Sequence, residues 1–361
     1  MQAEGAAAAN VLVEVKDLRT YFELTEGTVR AVDGVSFSIQ RARTLGVVGE
    51  SGCGKSVTAR SIMNMIRKPG RIAGGQILYY RRRNGSSGST EQVIDLVQLP
   101  PMGPEMRAIR GGEFAMIFQE PKASFSPVHT VGSQIIEAIM LHQNVGRLEA
   151  RERAVEMLRR VNIPNPEERI EAYPHQLSGG MCQRAMIALA LSCRPDLLIA
   201  DEPTTALDVT TEAQILDLIR ELQETYHTAV MYITHNLAVL AEIADEVVVM
   251  YMGKLVEVAD REALLARPLH PYTEALLSAV PVPDPRRRRT RLVLEGEVPD
   301  PANPSPGCPF HPRCRYAQDM CSREEPPLRA MPGGRTVACH LAEQLELAGA
   351  LRPARAADGQ G

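Results

Sequence analysis

The sequence has no long apolar run, no strong excess of one charge and no internal repeat. None of its apolar stretches approaches the roughly 18 residues that predict a membrane-spanning helix. A net charge of −4 argues against nucleic acid as the main partner, because duplex binding needs a basic face. Residues 1–10 lack the basic start and apolar core of a secretory signal. We therefore expect a soluble, cytosolic protein that reaches any membrane through a partner.

The 361 residues are enough for two domains, and the apolar fraction of 44% is enough for a core. Predicted strands alternate with helices, which indicates an α/β protein with a mostly parallel sheet. Antiparallel pairs are expected in the N-terminal third and in a hairpin at Val247–Val258. The other predicted strands are Leu12–Val15, Val29–Val35, Ser36–Ile39, Thr44–Val48, Phe114–Phe118, Leu197–Ala200 and Val230–Thr234; the predicted helices include Val57–Ile66, Gln134–Leu141, Leu148–Val161 and Ala213–Tyr226.

A glycine-rich stretch between a predicted strand and a predicted helix fits the phosphate-binding pattern G-x-x-x-x-G-K-[ST]. Its glycines allow backbone N–H groups to converge on phosphate oxygens. Lys55 adds a positive charge beside the β- and γ-phosphates, and Ser56 offers a hydroxyl to Mg²⁺. The predicted nucleotide-binding residues here are Gly49, Glu50, Ser51, Gly52, Cys53, Gly54, Lys55, Ser56 and Val57.

Two acidic residues, Asp201 and Glu202, follow an apolar strand. Ligands of α/β proteins bind at the carboxyl ends of parallel strands. Asp201 can hold Mg²⁺ through water, and Glu202 can orient or deprotonate an attacking water. The alternative is a pair of solvated acids that end the strand.

A second candidate anion site precedes a helical run. Ser178 can cap that helix, and Gly179 and Gly180 expose backbone N–H groups at its start. Taken alone, these residues fit an ordinary helix cap better than a binding site.

Taken together and in this order, the motifs resemble the ATP-binding subunit of an ABC transporter from about residue 11 to 258. Further residues that fit this family are Gln119, Gln183, Arg184, Pro203, Thr204, Ala206, Leu207, Asp208, Thr234 and His235. The resemblance implies a P-loop NTPase core with a mostly parallel sheet and an N-terminal antiparallel β subdomain. It also implies an inserted helical subdomain at about 119–193 within a nucleotide-binding domain at 11–265.

The same resemblance implies a head-to-tail dimer that binds ATP and Mg²⁺ between one subunit's phosphate loop and the other's Ser178–Gly180. His235 would contact the γ-phosphate, and Asp208 would link the two sites. Gln119 would sense Mg²⁺ and relay its state to membrane subunits. An aromatic ring near the end of the first strand would stack on adenine; Phe22 is favoured, with Tyr21 next to it. Taken alone, His235 and Phe22 would be structural residues.

Several further motifs resemble a narrower group, the dipeptide/oligopeptide importers. They are Tyr173–Gln176, His270–Thr273, Ala279–Pro281 and Gly307–Cys314. This implies an ATPase docked on two transmembrane permease subunits at the cytoplasmic face of the cell membrane, with substrate delivered by an extracytoplasmic binding protein. The transported substrate itself does not follow from the sequence.

Three residues near the ATP motifs bear on this comparison. Position 181 is methionine rather than glutamine, which indicates the type of subunit that pairs with a second, related ATPase. A homodimer is the alternative. Cys182 stands where the family usually has arginine, and Asn236 stands where aspartate is common. The sequence therefore does not determine how strong the local coupling is at these two positions.

Two other classes of ABC protein are alternatives. A soluble ABC ATPase of DNA repair or translation would have two cassettes or long coiled-coil insertions and a basic surface. An exporter subunit would often be fused to membrane-spanning helices. The sequence has none of these features.

Four cysteines lie in a proline-rich C-terminal segment with the spacing C-x₅-C-x₆-C-x₁₇-C: Cys308, Cys314, Cys321 and Cys339. Four thiolates can hold zinc or a [4Fe–4S] cluster. The tight C-x₂-C pairs of zinc ribbons are absent, and the resemblance implies an iron–sulfur cluster; zinc and free thiols are the alternatives. We expect the centre to be structural and to leave ATP binding unaffected.

Apart from the four-cysteine site, the C-terminal region and the other remaining segments show no chemical motif. Residues 266–345 are expected to form a non-helical C-terminal extension, and 1–10 and 346–361 to be flexible tails. The basic stretch Arg81–Glu91, followed by Pro100–Pro104, is predicted to be an exposed insertion. Arg286–Arg289 is expected to be a solvated linker, with contact to anionic lipid or an acidic partner as the alternative.

Overall fold

The computed structural model describes residues 10–85, 88–204, 209–280, 292–294, 296, 299–302 and 305–350. Its strands are β1 (Val11–Leu24), β2 (Gly27–Gln40), β3 (Thr44–Val48), β4 (Gly70–Gly85), β5 (Gly88–Asp95), β6 (Phe114–Ile117), β7 (Leu197–Asp201), β8 (Ala229–Thr234), β9 (Glu246–Tyr251), β10 (Lys254–Asp260), β11 (Arg329–Met331) and β12 (Arg335–Val337). Its helices are α1 (Lys55–Ile62), α2 (Pro104–Gly112), α3 (Pro121–Ser124), α4 (Val131–His142), α5 (Arg147–Arg160), α6 (Pro166–Arg169), α7 (Gly179–Leu191), α8 (Val209–Tyr226), α9 (Leu237–Ile243), α10 (Arg261–Ala266) and α11 (Pro271–Ser278).

One sheet is antiparallel and, in the described residues, has four strands in the order β2-β1-β4-β5. Strands β1 and β2 are each continuous, whereas short separate strands were predicted. The pairing of β1 with β2 shifts register between Val15 and Leu18, so the alternation of buried side chains is interrupted without the strand ending. This shift hid the true length of the strands in the sequence pattern.

The second sheet, counted over the described residues, has eight strands in the order β11-β12-β10-β9-β3-β8-β7-β6. Strands β9, β3, β8, β7 and β6 are parallel neighbours, while β10, β12 and β11 continue the sheet in antiparallel pairs. Every residue of β3, β7 and β8 is buried, which explains their continuous apolar runs. Parallel order also brings the carboxyl ends of β3, β8, β7 and β6 to one edge of the sheet.

Helices α3 to α7 lie between β6 and β7 in the sequence. Helices α4, α5 and α7 share one buried cluster through Ile135, Ile139, Ala154, Leu158 and Ala185. Helix α4 begins at Thr130, whose hydroxyl accepts a hydrogen bond from the Ser133 amide at 3.2 Å.

The C-terminal residues pack onto the core. Helix α11 begins with Pro271, a favourable first residue, and the Nδ1 atom of His270 accepts a hydrogen bond from the Tyr272 amide at 3.0 Å. Strand β12 pairs with β10, and Phe310 belongs to the same buried cluster as the parallel sheet. The prediction that the region after residue 265 is non-helical was wrong, because a capped start and an apolar face stabilise α11.

The stretch Arg81–Glu91, predicted to be an exposed insertion, is exposed at Arg82, Thr90 and Glu91 but belongs to two paired strands and buries Arg81. Strands β4 and β5 pair across this region, from Leu78–Asp95 to Gly85–Gly88. Only 6% of the Arg81 side chain is exposed, and its Nε and Nη2 atoms donate to the two carboxylate oxygens of Glu113 at 2.7 and 2.8 Å. A carboxylate partner makes burial of this arginine possible, and that partner is distant in the sequence.

No helix in the described part of the chain combines the length and apolar character needed to cross a membrane. The Arg286–Arg289 run lies outside the described residues.

Candidate functional site

The predicted site residues gather at one edge of the parallel sheet. The phosphate-loop sequence follows β3, Gln119 follows β6, Glu202 follows β7 and His235 follows β8. Because these strands are parallel neighbours, residues that lie far apart in the sequence meet at the edge where α/β proteins bind ligands.

The loop Gly49–Ser56 connects β3 to the start of α1. Two of its glycines are required by close approach of other backbone. A Cβ atom on Gly54 would lie 2.2 Å from the Ala31 carbonyl oxygen, and one on Gly49 would lie 2.3 Å from that of Met250. Gly54 also has a φ of +103°, which side chains disfavour. The glycine pattern therefore reflects the space available, and the backbone N–H groups at the start of α1 suit an anion.

The ammonium group of Lys55 is folded back onto the loop. Its Nζ atom donates to the Gly49 carbonyl at 2.8 Å and to the Glu50 carbonyl at 3.0 Å, and the residue is buried. The two carbonyl oxygens therefore accept hydrogen bonds from the positively charged ammonium group inside the loop.

Ser56 and Asp201 are in direct contact. The Ser56 hydroxyl donates to Asp201 Oδ1 at 2.8 Å, and Asp201 is buried at the end of β7. Burial raises the pKa of the Asp201 carboxyl, and the Ser56 hydrogen bond opposes that rise. A hydroxyl beside a carboxylate is an oxygen donor pair of the kind that Mg²⁺ takes in nucleotide sites.

Glu202 lies between Gln119 and His235. Gln119 Nε2 donates to Glu202 Oε2 at 3.2 Å, and His235 Nδ1 lies 3.4 Å from Glu202 Oε1. The Glu202 backbone has a φ of +48°, and its amide donates to the Ile233 carbonyl at 3.0 Å. A carboxylate held this way beside a phosphate loop can orient a water molecule and accept its proton.

Ser178 caps α7, as its place in the sequence suggested. Its Oγ accepts a hydrogen bond from the Met181 amide at 3.3 Å. Ser178 and Gly179 are exposed, and a Cβ atom on Gly179 would meet nothing within 4 Å. The start of α7 is thus open to a second molecule.

The adenine candidates Phe22 and Tyr21 have different surroundings. The Phe22 ring packs so closely on Gly70 that a Cβ atom there would lie 2.5 Å from it. The Tyr21 hydroxyl donates to Asp33 Oδ1 at 2.6 Å. Asp208 lies outside the described residues.

Two residues near the phosphate loop were missed by sequence reasoning. Arg313 forms a bidentate ion pair with Glu50, and the Tyr272 hydroxyl accepts a hydrogen bond from the Glu50 amide at 2.7 Å. Both residues lie in motifs, His270–Thr273 and Gly307–Cys314, that in the sequence indicate only a family. The signal was present, but nothing in the sequence connects these motifs to Glu50.

The four C-terminal cysteines lie in one neighbourhood. The Cys308 amide donates to the Cys321 carbonyl at 2.8 Å, and burial raises the pKa of the Cys308, Cys314 and Cys339 thiols to about 11. Within the described residues, however, no group of three or more His, Cys, Asp or Glu side chains is placed to hold a metal ion. The arrangement therefore does not support the predicted metal centre.

Comparison with known proteins gives two family matches. The family described as "ABC transporter" matches residues 32–205. The family described as "Oligopeptide/dipeptide transporter, C-terminal region" matches residues 256–321, which include Cys308, Cys314 and Cys321.

Several curated proteins are similar over nearly the whole chain. The probable peptide ABC transporter ATP-binding protein y4tR of Sinorhizobium fredii is 48% identical, covering 94% of this chain and 97% of that protein. The oligopeptide transport ATP-binding protein AppD of Bacillus subtilis is 46% identical, covering 93% and 98%. The dipeptide transport ATP-binding protein DppD of Escherichia coli is 46% identical, covering 91% and 96%.

Among solved structures, the dimeric ABC transporter cassette MJ0796 superposes with a TM-score of 0.59 at 24% identity. The superposition covers 69% of this chain and 99% of that one. At this identity the likeness concerns the fold, an α/β ATPase cassette with mixed sheets and helices.

Proposed function

Because the chain belongs to the family of ATP-binding subunits of dipeptide and oligopeptide ABC transporters, we propose that it hydrolyses ATP to power peptide import through separate permease subunits. The observation that carries this proposal is the convergence of Gln119 and His235 on Glu202, beside the Ser56–Asp201 pair. That convergence supplies oxygen donors for a cation and a carboxylate for the water, and the adjoining loop Gly49–Ser56 supplies the cradle for phosphates that phosphoryl transfer also needs.

In this mechanism the phosphate loop and Lys55 bind the triphosphate. Ser56 and Asp201, with Gln119, would hold Mg²⁺, which supplies positive charge beside the phosphates. Glu202 orients the attacking water and accepts its proton. His235 contacts the γ-phosphate and, being 3.4 Å from Glu202, also limits where that carboxylate can lie. Phe22 stacks on the adenine.

Each ATP site is completed by a second subunit. The exposed start of α7 at Ser178–Gly180 supports this role, because backbone N–H groups at a helix start attract an anion. The second subunit is a homologous ATPase, either another copy of this chain or a related one, and Asp208 links the two sites. The helical segment between β6 and β7 passes the state of Gln119 to the permease subunits.

The assembly lies at the cytoplasmic face of the cell membrane, with an extracytoplasmic binding protein delivering the substrate. Curated relatives are named for dipeptides and for oligopeptides, so peptides are the proposed substrate class. A soluble ABC ATPase of DNA repair or translation is not favoured, because the relatives are transport proteins over more than 90% of this chain.

We also propose a [4Fe–4S] cluster, with zinc as the alternative, on Cys308, Cys314, Cys321 and Cys339. The support is the chemistry of the four thiol donors, although the described residues contain no group of three or more such side chains placed to hold a metal ion. Zinc needs four thiolates about 2.3 Å from one point, whereas a cluster takes one thiolate on each of its irons. Residues 11–265 would form the nucleotide-binding domain and 266–345 an extension joined to its sheet through β12.

Reconstitution tests the proposed function. The chain would be purified with its permease partners and companion ATPase, placed in lipid discs and assayed for ATP hydrolysis with binding protein and a panel of peptides. We expect hydrolysis that rises with particular peptides and is lost in Lys55→Ala. Hydrolysis that no peptide changes, together with stimulation by another solute, would overturn the peptide assignment.

A further inference from the structure

The C-terminal segment reaches the phosphate loop through one side chain. Arg313 Nη1 donates to Glu50 Oε2 at 2.6 Å, and Nη2 donates to Glu50 Oε1 at 3.1 Å. The exposed fractions of the two side chains are 7% for Arg313 and 28% for Glu50, so the pair is largely shielded from water. Bidentate pairs of this kind fix geometry as well as charge.

Glu50 is held at each of its polar groups. Its amide donates to the Tyr272 hydroxyl at 2.7 Å, its carbonyl accepts from Lys55 Nζ at 3.0 Å, and its carboxylate is held by Arg313. This residue is the second of the loop Gly49–Ser56. The conformation of the loop at this point therefore depends on residues from α11 and from the turn His311–Arg313.

The turn that carries Arg313 is itself anchored. The Arg313 amide donates to the Phe310 carbonyl at 3.0 Å, and the Phe310 ring centre lies 5.3 Å from that of Tyr251 and 5.4 Å from that of Tyr272. Arg313 Nη1 also lies 3.4 Å from the Tyr251 hydroxyl. Because the turn packs on these buried rings and the guanidinium also contacts the Tyr251 hydroxyl, Arg313 has little freedom to follow Glu50 if the loop moves.

We propose that Arg313 is a positioning residue for ATP binding and hydrolysis, acting by holding Glu50 and neutralising its charge. This inference rests on the proposed phosphate-binding role of the loop. A carboxylate in a loop that binds a triphosphate would repel its ligand, and the ion pair removes that repulsion. Fixing the loop before the nucleotide arrives also lowers the ordering cost of binding.

The test is the affinity of the full chain for ATP and ADP, measured by fluorescence titration with methylanthraniloyl nucleotides. Arg313→Gln should weaken ATP binding about 10-fold, the effect of losing a charge-assisted hydrogen bond. ADP carries less negative charge, so its affinity should fall less. If Arg313 only stabilised the fold, its loss would not lower the affinity for ATP more than the affinity for ADP.

A double variant tests whether the loss of ATP affinity comes from the unpaired charge of Glu50. In Arg313→Gln with Glu50→Gln no carboxylate remains to repel the nucleotide, so the ratio of ATP to ADP affinity should return to the wild-type value. Arg315→Gln is the matched control, because Arg315 is exposed two residues further on and contacts the Tyr316 ring. It should bind both nucleotides as the wild type does.

An ATP affinity in Arg313→Gln equal to that of the wild type would overturn the inference. Equal losses of ATP and ADP affinity that the double variant does not reverse would also overturn it. If Arg313→Gln does not fold, Arg313→Lys decides, since lysine keeps the charge but cannot hold both carboxylate oxygens. We expect it to lose about 3-fold in ATP affinity, and an unchanged affinity would count against the inference. Lys55→Ala tests the loop separately: retained nucleotide binding there would overturn the proposed function.

Discussion

His235 and Glu202 approach each other from the ends of neighbouring parallel strands, with 3.4 Å between His235 Nδ1 and Glu202 Oε1. Gln119 donates to the other carboxylate oxygen at 3.2 Å from the end of β6. The carboxylate is thus held from two sides, and 15% of its side chain is exposed. A group placed this way can act on a water molecule without binding the phosphates itself.

The Glu202→Gln variant should bind ATP normally and hydrolyse it at least about 100-fold more slowly, because general-base catalysis contributes on that order. In the proposed mechanism ATP binding depends on the loop N–H groups and Lys55, which this change leaves in place. ATP turnover and the amount of closed dimer after ATP addition are the measurements; the variant should accumulate the dimer. Glu224→Gln, an exposed change on α8, is the control. Near wild-type hydrolysis by Glu202→Gln would exclude Glu202 as the base.

Ser178→Arg should abolish hydrolysis while the monomer keeps its affinity for ATP. The reason is that Ser178 lies at the exposed start of α7, which in the proposed dimer completes the site of another subunit, and an arginine would block that contact. Hydrolysis of the wild-type chain should accordingly rise more steeply than linearly with its concentration. Strong turnover by a dilute monomer, independent of concentration, would contradict the composite site.

The stability of the protein should depend on the protonation of His270. Complete burial lowers the pKa of His270 to about 3, whereas the unfolded chain titrates near pH 6.5. The unfolded state therefore binds more protons between these values, and stability present above pH 6.5 is lost as the pH falls towards 3, by about 1.4 kcal/mol per pH unit. The measurement is the free energy of unfolding in urea at about pH 7.5 and about pH 5.5.

His270→Asn should remove this part of the pH dependence, because asparagine can still cap α11 and does not titrate. His227→Asn is the matched control, since His227 is exposed and has a left-handed conformation that asparagine tolerates. The control should keep the wild-type loss at low pH. An identical pH dependence in His270→Asn and the wild type would refute the assignment to His270.

Protein purified without oxygen should be brown and contain about four irons per chain, as expected for a cluster on four cysteines. Cys321→Ser should lose the colour and make the region after residue 300 more sensitive to proteases, because the segment has few large apolar residues to offset its ordering cost. Cys193→Ser, outside the segment, should stay brown. One zinc per chain in colourless protein would change the assignment to zinc, and protein without metal would refute it.

The expectation that the cysteine segment is independent of ATP binding stays a prediction, and one contact in the structure bears on it. Arg313 lies directly before Cys314 and holds Glu50 of the phosphate loop. Cys314→Ser should therefore weaken ATP binding more than Cys339→Ser does, because only Cys314 adjoins the turn that carries Arg313. Equal ATP affinities in the two variants would support the original expectation.

The sequence by itself predicted the α/β class and the site motifs because each has a local signature. The loop Gly49–Ser56 is recognisable because its glycines, Lys55 and Ser56 all lie within eight consecutive residues. The apolar runs of β7 and β8 are recognisable because strands buried on both faces need no alternation. Residues at the ends of those runs, such as Asp201, could then be placed at a sheet edge.

Tertiary structure alone decided which distant residues meet. Arg81 was predicted to be exposed and is buried, because Glu113 satisfies it across the fold. Arg313 reaches Glu50 across 263 positions of sequence, and Gln119 reaches Glu202 across 83. Pairing of buried charges depends on three-dimensional proximity, which no local pattern encodes. The same reason explains why the sequence identified the phosphate loop but not the C-terminal residue that holds it.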